Sequence, residues 1–400
     1  MMKKGTLAAH NIRVLFWADL FGSVKFIQPV LALFYFSRGL DEALILWVMF
    51  CWSFGVLVGE VPTSMLADRY GAKRAFLLGS VFSIISHAML LGADEPWLFF
   101  MSNFLSGFAA SCFSGADEAL IYESLKASNE EHLMDQAMGI IQSAQFVVTV
   151  AALVIGALVA KDLTNGQFNL LIVLGIVFQC VRLALVFLVK NPPGHGAYRG
   201  QPLSQVKEGM LAIRQAPQVL WMFLNVTLVF IPTTAIFENF SDKLLYDAGL
   251  PVSFIGVVLG SLAVFSFVVS RSIGWLTTRF SRIGLMHATG ALGVLALVIV
   301  ALDGDALFSL FGAMVALRFV RTVRYPVYSQ LSNALIPSHV RATTISLLSI
   351  VDSLCDMLIF SSVGALATMG FSYLFLASAA VALIGCLMPI RFVSPQEKRQ

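Results

Sequence analysis

Charged residues are scarce in this chain of 400 residues: Asp, Glu, Lys and Arg make up 12% of it, whereas 58% of the residues are hydrophobic. Soluble domains average about 25% charged residues, so the composition excludes an ordinary soluble protein. Apolar runs of about 20 residues, the length that crosses a bilayer as a helix, recur along the whole sequence. The sequence therefore predicts a protein of membrane-spanning helices, with the lipid bilayer as its first partner.

Signals for enzymes and nucleic-acid binding are also missing. The net charge is only +3 and the basic residues are not clustered, which argues against binding to nucleic acid. The five cysteines lie in apolar runs, and neither they nor the six histidines show metal-ligand spacing. A Walker loop and a dinucleotide-binding glycine motif are both missing. We expect no catalytic residue, cofactor or metal, and no ATP-driven activity.

The apolar runs predict an all-α membrane protein of twelve transmembrane helices. Their predicted ranges are 11–37, 43–67, 74–92, 97–125, 136–160, 168–190, 218–246, 252–277, 285–302, 305–333, 341–368 and 372–391. The first run is too long for a cleaved signal peptide, so we expect it to be retained. The longest polar connection, 191–217, divides the chain into an N-terminal six-helix bundle (1–190) and a C-terminal one (218–400).

Basic residues indicate the orientation. With the N-terminus, the central loop and the C-terminus on one side, that side carries most of the Lys and Arg, and the other carries Arg38, Lys161 and Lys243. Positive charge accumulates on the cytoplasmic side of membrane proteins. Both termini are therefore predicted to be cytoplasmic.

A short motif occurs once in each half. Ser64 to Arg74 reads SMLADRYGAKR, and at an offset of 210 the segment Gly274 to Gly284 reads GWLTTRFSRIG. Two six-helix units in the same orientation are typical of many secondary transporters. The first copy resembles the signature of the major facilitator superfamily, G-x-L-a-D-r-x-G-r-k, with Ser64 in place of the first glycine. The resemblance implies two pseudo-symmetric six-helix bundles and a transporter that acts as a monomer, without a cofactor.

The motif predicts a cytoplasmic gate. Gly71 would allow a tight turn between two helices, Asp68 would meet the positive end of another helix, and the basic neighbours would reach acidic or carbonyl groups. The alternative is an ordinary cluster of charges next to the membrane. The full set of gate candidates is Glu60, Asp68, Arg69, Gly71, Lys73, Arg279, Arg282 and Arg341.

Charged residues inside the predicted helices are candidates for function, because each costs a few kcal/mol in lipid. The acids are Asp19, Glu60, Asp117, Glu118, Glu238, Asp352 and Asp356, and the bases are Lys25, Arg182, Arg271, Arg318, Arg321 and Arg324. Their similar numbers indicate pairing between helices. We interpret Arg182 and Arg271 as structural, and we expect at least one of the three closely spaced arginines to pair with Asp352 or Asp356.

The resemblance also implies which charges reach the central cavity, since the first, fourth, seventh and tenth helices line it in that family. The cavity candidates are Asp19, Lys25, Asp117, Glu118, Glu238, Arg318 and Arg321. With Asp352 and Asp356 on one face of the eleventh helix, they are the candidates for binding substrate or protons. For each, a structural salt bridge is the competing interpretation.

The sequence thus predicts a secondary transporter of the inner (cytoplasmic) membrane that moves a small molecule by alternating access. Protons are the simplest coupling ion, because a carboxylate such as Asp19 or Asp117 can take up a proton when it leaves water. Efflux is slightly favoured, although the fifth helix lacks the proline-containing motif of many drug exporters. One alternative is the uptake or export of an anionic metabolite or siderophore, and another is a membrane sensor that does not transport.

Overall fold

The computed structural model describes residues 5–114, 116–192, 214, 217–336 and 341–390. Its helices are α1 (Leu7–Gly22), α2 (Leu31–Ser37), α3 (Glu42–Tyr70), α4 (Ala72–Leu91), α5 (Pro96–Ser111), α6 (Ala116–Ala127), α7 (Met134–Val159), α8 (Asn165–Val186), α9 (Pro217–Phe230), α10 (Phe237–Asp247), α11 (Val252–Arg279), α12 (Arg282–Asp303), α13 (Leu307–Leu335), α14 (Arg341–Ala367) and α15 (Phe371–Leu387). Over the described ranges every regular element is helical, which confirms the predicted all-α class.

Each of the twelve predicted runs contains a helix or a pair of helices. Within the described ranges, eight helical segments are long and apolar enough to cross a membrane, and three further apolar helices are shorter. Many large apolar side chains on these helices are exposed, including Phe308 at 91% and Leu387 at 74%. Such surface is stable in lipid, where exposed apolar side chains cost nothing. The chain is a multi-pass membrane protein.

Three predicted helices are not continuous α-helix. The first breaks after Gly22 and resumes through a 3₁₀ turn at Gln28–Val30 that contains Pro29. The seventh contains a π-helical segment, Ile231–Ile236, that includes Pro232. Proline has no N–H to donate, so these positions cannot make the regular α-helical hydrogen bond. By contrast, α3 runs through Pro62 and α13 through Pro326 without a break.

The third break lies between α5 and α6, within the predicted helix 97–125. Here the N–H groups of Cys112 and Phe113 donate to the carbonyls of Ala109 and Ala110, three residues back. This is the tighter 3₁₀ pattern, which often ends an α-helix. As a consequence Asp117 lies in the first turn of a new helix, not in the middle of a long one.

The chain forms two compact units. Unit 1 comprises residues 1–40, 47–199 and 251–260, and unit 2 comprises residues 41–46, 200–250 and 261–400. Unit 1 has a core of buried side chains from α1, α4, α6, α7 and α8, among them Phe76 and Leu120. Unit 2 has a core that includes Met222, Met286 and Val323 from α9, α12 and α13. The boundaries predicted from the sequence, 1–190 and 218–400, remain a prediction.

Candidate functional site

Unit 1 contains a charge cluster of Asp19 on α1, Asp117 on α6 and Arg182 on α8. Arg182 Nη2 lies 3.7 Å from Asp19 Oδ1. All three side chains line a small cavity of about 30 Å³, which is room for about one water molecule. The remaining wall residues are Leu15, Ala18, Phe76, Phe113, Ile121, Ile141 and Val186. We call Asp19, Asp117 and Arg182 the unit 1 cluster.

Close packing between α1 and α8 places Arg182. A Cβ on Gly22 would lie 2.6 Å from Arg182 Cδ, so a larger residue at this position would displace the Arg182 side chain. Gln179, one turn earlier on α8, donates from Nε2 to the Gly22 carbonyl at 3.1 Å. On its other side the guanidinium lies over the Phe113 ring, with Cζ 3.7 Å from the ring centroid, a favourable contact between a cation and an aromatic face.

Two acids share one base in this cluster. Asp117 Oδ1 also accepts from the N–H of Glu118 at 2.8 Å, as expected for an acid in the first turn of a helix. The Asp19–Arg182 separation is longer than a hydrogen bond, and Arg182 Nε has no hydrogen-bond partner within the described part of the chain. With both acids ionised the cluster carries one net negative charge, which a single proton would cancel.

Other predicted residues of this half lie elsewhere. Glu118 is exposed, and Lys25 is exposed in the turn that follows α1. Arg182, which the sequence analysis interpreted as structural, lies on the cavity wall, and its ion pair with Asp19 links α8 to α1. Its solitary position in the apolar run of α8 was a usable signal, because a cation inside a membrane helix is rare and often functional.

Unit 2 contains a second charge cluster, Glu238 on α10 with Arg318 and Arg321 on α13. Arg321 Nη1 donates to both carboxylate oxygens of Glu238, at 2.6 Å to Oε1 and 2.5 Å to Oε2. Arg318 Nη1 lies 3.0 Å from Oε1 of the same carboxylate. Two permanent cations therefore share one anion. We call these three residues the unit 2 cluster.

The partner of this arginine pair differs from the one expected. The sequence analysis expected at least one of Arg318, Arg321 and Arg324 to pair with Asp352 or Asp356. In the structure Arg318 and Arg321 pair with Glu238. Asp352 Oδ1 instead accepts a hydrogen bond from Thr227 Oγ1 at 2.9 Å, and Asp356 is half-buried one turn further along α14. A π-helical segment, Ile231–Ile236, comes just before Glu238 in the seventh run.

Arg324 has partners other than Glu238. Each step of three residues on a helix with 3.6 residues per turn rotates the side chain by about 60°, so Arg324 lies about 120° around α13 from Arg318. It is 3% exposed and lies among neutral oxygens. Its Nη1 donates to the Met286 carbonyl and, at 3.2 Å, to Thr289 Oγ1. Its Nη2 donates to the Asn225 carbonyl at 2.9 Å and to Asn225 Oδ1. Arg324 therefore ties α13 to α9 and α12 and is structural.

The first copy of the gate motif has the predicted turn. Gly71 separates α3 from α4 with a φ of +88°, a conformation that favours glycine. Lys73 Nζ donates to the Phe187 carbonyl at 2.7 Å, which is the kind of partner the motif predicts for a basic neighbour. Arg69 lies over the Tyr70 ring at 5.3 Å. Glu60 is half-buried one turn before Ser64.

In the second copy, Arg282 Nε donates to Gln330 Oε1 at 3.0 Å, and Arg279 lies 5.9 Å from the Trp275 ring centroid. The side chains of Asp68 and Arg341 lie outside the described residues, so their predicted part in the gate stays a prediction. Among the residues that the structure does describe, no three His, Cys, Asp or Glu side chains are grouped as metal ligands.

The sequence of this chain matches a family model over residues 19–359, and that model describes the Major Facilitator Superfamily. The chain belongs to the Major Facilitator Superfamily. This confirms the resemblance drawn from the Ser64–Arg74 motif, and it makes the protein a member of a transporter family.

Curated relatives match over part of their length. The chain is 30% identical over 112 residues to the multidrug resistance protein MdtH of Salmonella typhimurium, covering 28% of this chain and 26% of that protein. It is 28% identical over 166 residues to MdtH of Yersinia enterocolitica, covering 40% of this chain and 37% of that protein. The chain thus aligns with about a quarter to somewhat over a third of these relatives.

Solved structures share the fold at low identity. A mutant of the nucleoside transporter NupG gives a TM-score of 0.77 at 12% identity, covering 94% of this chain and 98% of that one. A D-xylose-proton symporter gives 0.70 at 14% identity, covering 98% of each chain. A bacterial homologue of the lysosomal transporter Spinster gives 0.73 at 16% identity, covering 97% of each. The predicted fold of the superfamily is confirmed.

Proposed function

We propose that this protein is a proton-coupled secondary transporter that exports small molecules across the cytoplasmic membrane by alternating access. Membership of the Major Facilitator Superfamily supports transport. The observation that carries the proton coupling is the unit 1 cluster, in which Asp19 and Asp117 line a cavity of water size together with Arg182, whose Nη2 lies 3.7 Å from Asp19 Oδ1.

The cluster has the properties a proton site needs. Arg182 keeps its charge at any working pH, so only the carboxylates of Asp19 and Asp117 can exchange a proton. Protonation of one of them would bring the net charge of the cluster from minus one to zero. A group that is protonated in one conformation and ionised in the other shifts the equilibrium between the two, and this links the proton gradient to the movement of solute.

The proposed direction of transport, export, is based on the names of the curated relatives. Those from Salmonella typhimurium and Yersinia enterocolitica are named multidrug resistance proteins, a name that implies removal of toxic compounds from the cell. They are bacterial, which supports a location in the inner membrane, and the distribution of Lys and Arg supports cytoplasmic termini.

Transport by the purified full chain in proteoliposomes tests this proposal. We expect a pH gradient to drive accumulation of a fluorescent amphiphilic dye, measured with and without an uncoupler. Asp19→Asn and Asp117→Asn should each abolish the gradient-driven component but retain counterflow exchange, which needs no net proton movement. Glu95→Gln, an exposed acid before α5, is the matched control and should behave as wild type.

Two outcomes contradict the proposal. If both asparagine variants retain full gradient-driven transport, the proton is not carried by the unit 1 cluster. If wild-type protein shows neither gradient-driven transport nor counterflow for a panel of cationic, neutral and anionic solutes, the transport function itself is contradicted, and a membrane sensor becomes the better explanation.

A further inference from the structure

The unit 2 cluster carries an unbalanced charge. Glu238 contributes one negative charge, whereas Arg318 and Arg321 contribute two positive charges that no working pH removes. A net positive charge inside a membrane protein costs a few kcal/mol unless an anion or water compensates it. A guanidinium cannot lose its charge by deprotonation, so the excess positive charge of the unit 2 cluster attracts a second anion.

The two arginines differ in access. The side chain of Arg318 is 17% exposed, that of Arg321 is 42% exposed, and that of Glu238 is 34% exposed. Arg318 is therefore mostly enclosed and oriented by Glu238. Arg321 bonds to Glu238 through Nη1 alone among its described hydrogen bonds, which leaves part of its guanidinium open to a ligand.

An aromatic side chain adjoins this open guanidinium on the same helix. Tyr325 follows Arg321 by four residues, so the two share one face of α13, and Tyr325 is 60% exposed. An exposed ring beside an exposed guanidinium provides an apolar surface next to a cationic one. This combination favours a ligand with an anionic group at the end of an apolar or aromatic body.

We propose that Arg321, supported by Arg318 and Glu238, binds the carboxylate of an amphiphilic monoanionic substrate, with Tyr325 contacting its apolar part. The excess of one positive charge matches one carboxylate, and a guanidinium holds a carboxylate through two parallel hydrogen bonds. Glu238 acts as the internal counter-ion that keeps the pair in place and competes with the substrate. This inference rests on the proposed transport function and specifies its substrate class.

Binding to the purified full chain in detergent tests the site with three matched probes: 2-naphthoate, 2-naphthamide and 2-naphthylmethylammonium. They share one aromatic body and differ in charge. We expect naphthoate to bind about 10-fold or more tightly than either of the others, since charge-assisted hydrogen bonds are roughly twice as strong as neutral ones. Titration calorimetry gives each Kd directly.

Variants locate the site. Arg321→Gln should weaken naphthoate binding about 10-fold or more. The affinity of Arg321→Lys should lie between those of the wild type and Arg321→Gln, because lysine keeps the charge but not the paired geometry. Glu238→Gln should tighten naphthoate binding, because it removes the internal competitor. Arg271→Gln, which changes an exposed arginine on α11, is the matched control and should bind naphthoate as wild type does.

The result that overturns the proposal is equal affinity for the three probes, or naphthoate binding that Arg321→Gln leaves at the level of Arg271→Gln. If Glu238→Gln does not fold, the lysine and glutamine variants of Arg321 still decide the matter. If the three probes bind equally while proton-driven transport is intact, the proposed carboxylate site is wrong but the proposed transport function stands. If naphthoate binds as expected but the protein shows no gradient-driven transport, the carboxylate site at Arg321 is supported and the proposed proton coupling is contradicted.

Discussion

Arg324 Nη2 donates to both oxygens of Asn225, the main-chain carbonyl at 2.9 Å and the side-chain Oδ1. Asn225 in turn donates from Nδ2 to the Met388 carbonyl at 2.9 Å. Arg324 is thus a permanent cation buried in unit 2. All of its described hydrogen bonds go to neutral oxygens. Main-chain and amide dipoles supply what an acidic partner would, and they join α13 to α9 and to the end of α15.

The first prediction concerns this pair. Arg324→Met should lower the melting temperature and the yield of folded protein, because each buried acceptor left unpaired costs about 1–3 kcal/mol. Asn225→Leu should do the same. The double variant should lose less than the sum, with a coupling of about 0.5–3 kcal/mol as found for residues in one network. Thermal unfolding in detergent measures all four proteins, and additive losses would contradict the network.

The second prediction concerns the contact between α3 and α5 in unit 1. A Cβ on Gly107 would lie 2.0 Å from the Trp52 carbonyl oxygen, which is rigid backbone. Gly107→Ala should therefore force the helices apart at a cost of about 1–3 kcal/mol, as overpacking does. Gly312→Ala on α13 is the control, because nothing lies within 4 Å of its Cβ. Equal melting temperatures for the two variants would refute this.

The third prediction concerns the turn of the gate motif. Gly71→Ala should destabilise the protein by about 1–3 kcal/mol, because a φ of +88° with a ψ of 149° is a backbone conformation that essentially only glycine adopts. The new Cβ would also lie 2.7 Å from Asn191 Nδ2. Gly92→Ala, at the end of α4 with a negative φ and open space around it, should cost much less. Melting temperatures of the two variants, measured side by side, provide the check.

The fourth prediction separates position from charge in the unit 1 cluster. Gly22→Ala keeps Asp19 and Arg182 but places a methyl group 2.6 Å from Arg182 Cδ. A flexible side chain gives way at little cost in stability, so we expect a melting temperature near wild type. Proton-driven transport should fall while counterflow remains, because the guanidinium moves away from the carboxylate. Gly166→Ala, with nothing within 4 Å, is its control.

A lower melting temperature for Gly22→Ala would mean that α1 and α8 separate instead. Unchanged proton-driven transport would mean that the position of Arg182 does not matter. Either result would contradict the idea that the geometry of the Asp19–Arg182 pair, and not only its charge, serves coupling.

Several features of the fold follow from the sequence because they depend on composition and local chemistry. The twelve apolar runs predicted the helices, and the Ser64–Arg74 motif predicted both the family and the tight turn at Gly71. The spacing of the three arginines predicted that they diverge. Breaks within the runs were harder to place, because the 3₁₀ pattern at Cys112 and Phe113 has no proline beside it to mark it.

The sequence by itself determined the membrane class, the helical fold, the family and the list of charges within the apolar runs, since hydrophobicity, helical period and motif chemistry are properties of neighbouring residues. Only the tertiary structure decided which charges meet. Arg182 joins Asp19, and Arg318 and Arg321 join Glu238 while Asp352 bonds to Thr227. Partners at least 80 residues apart in the chain, as Arg318 and Glu238 are, depend on how whole helices pack and on the register of each helix. A shift of one residue turns a side chain by about 100° on a helix.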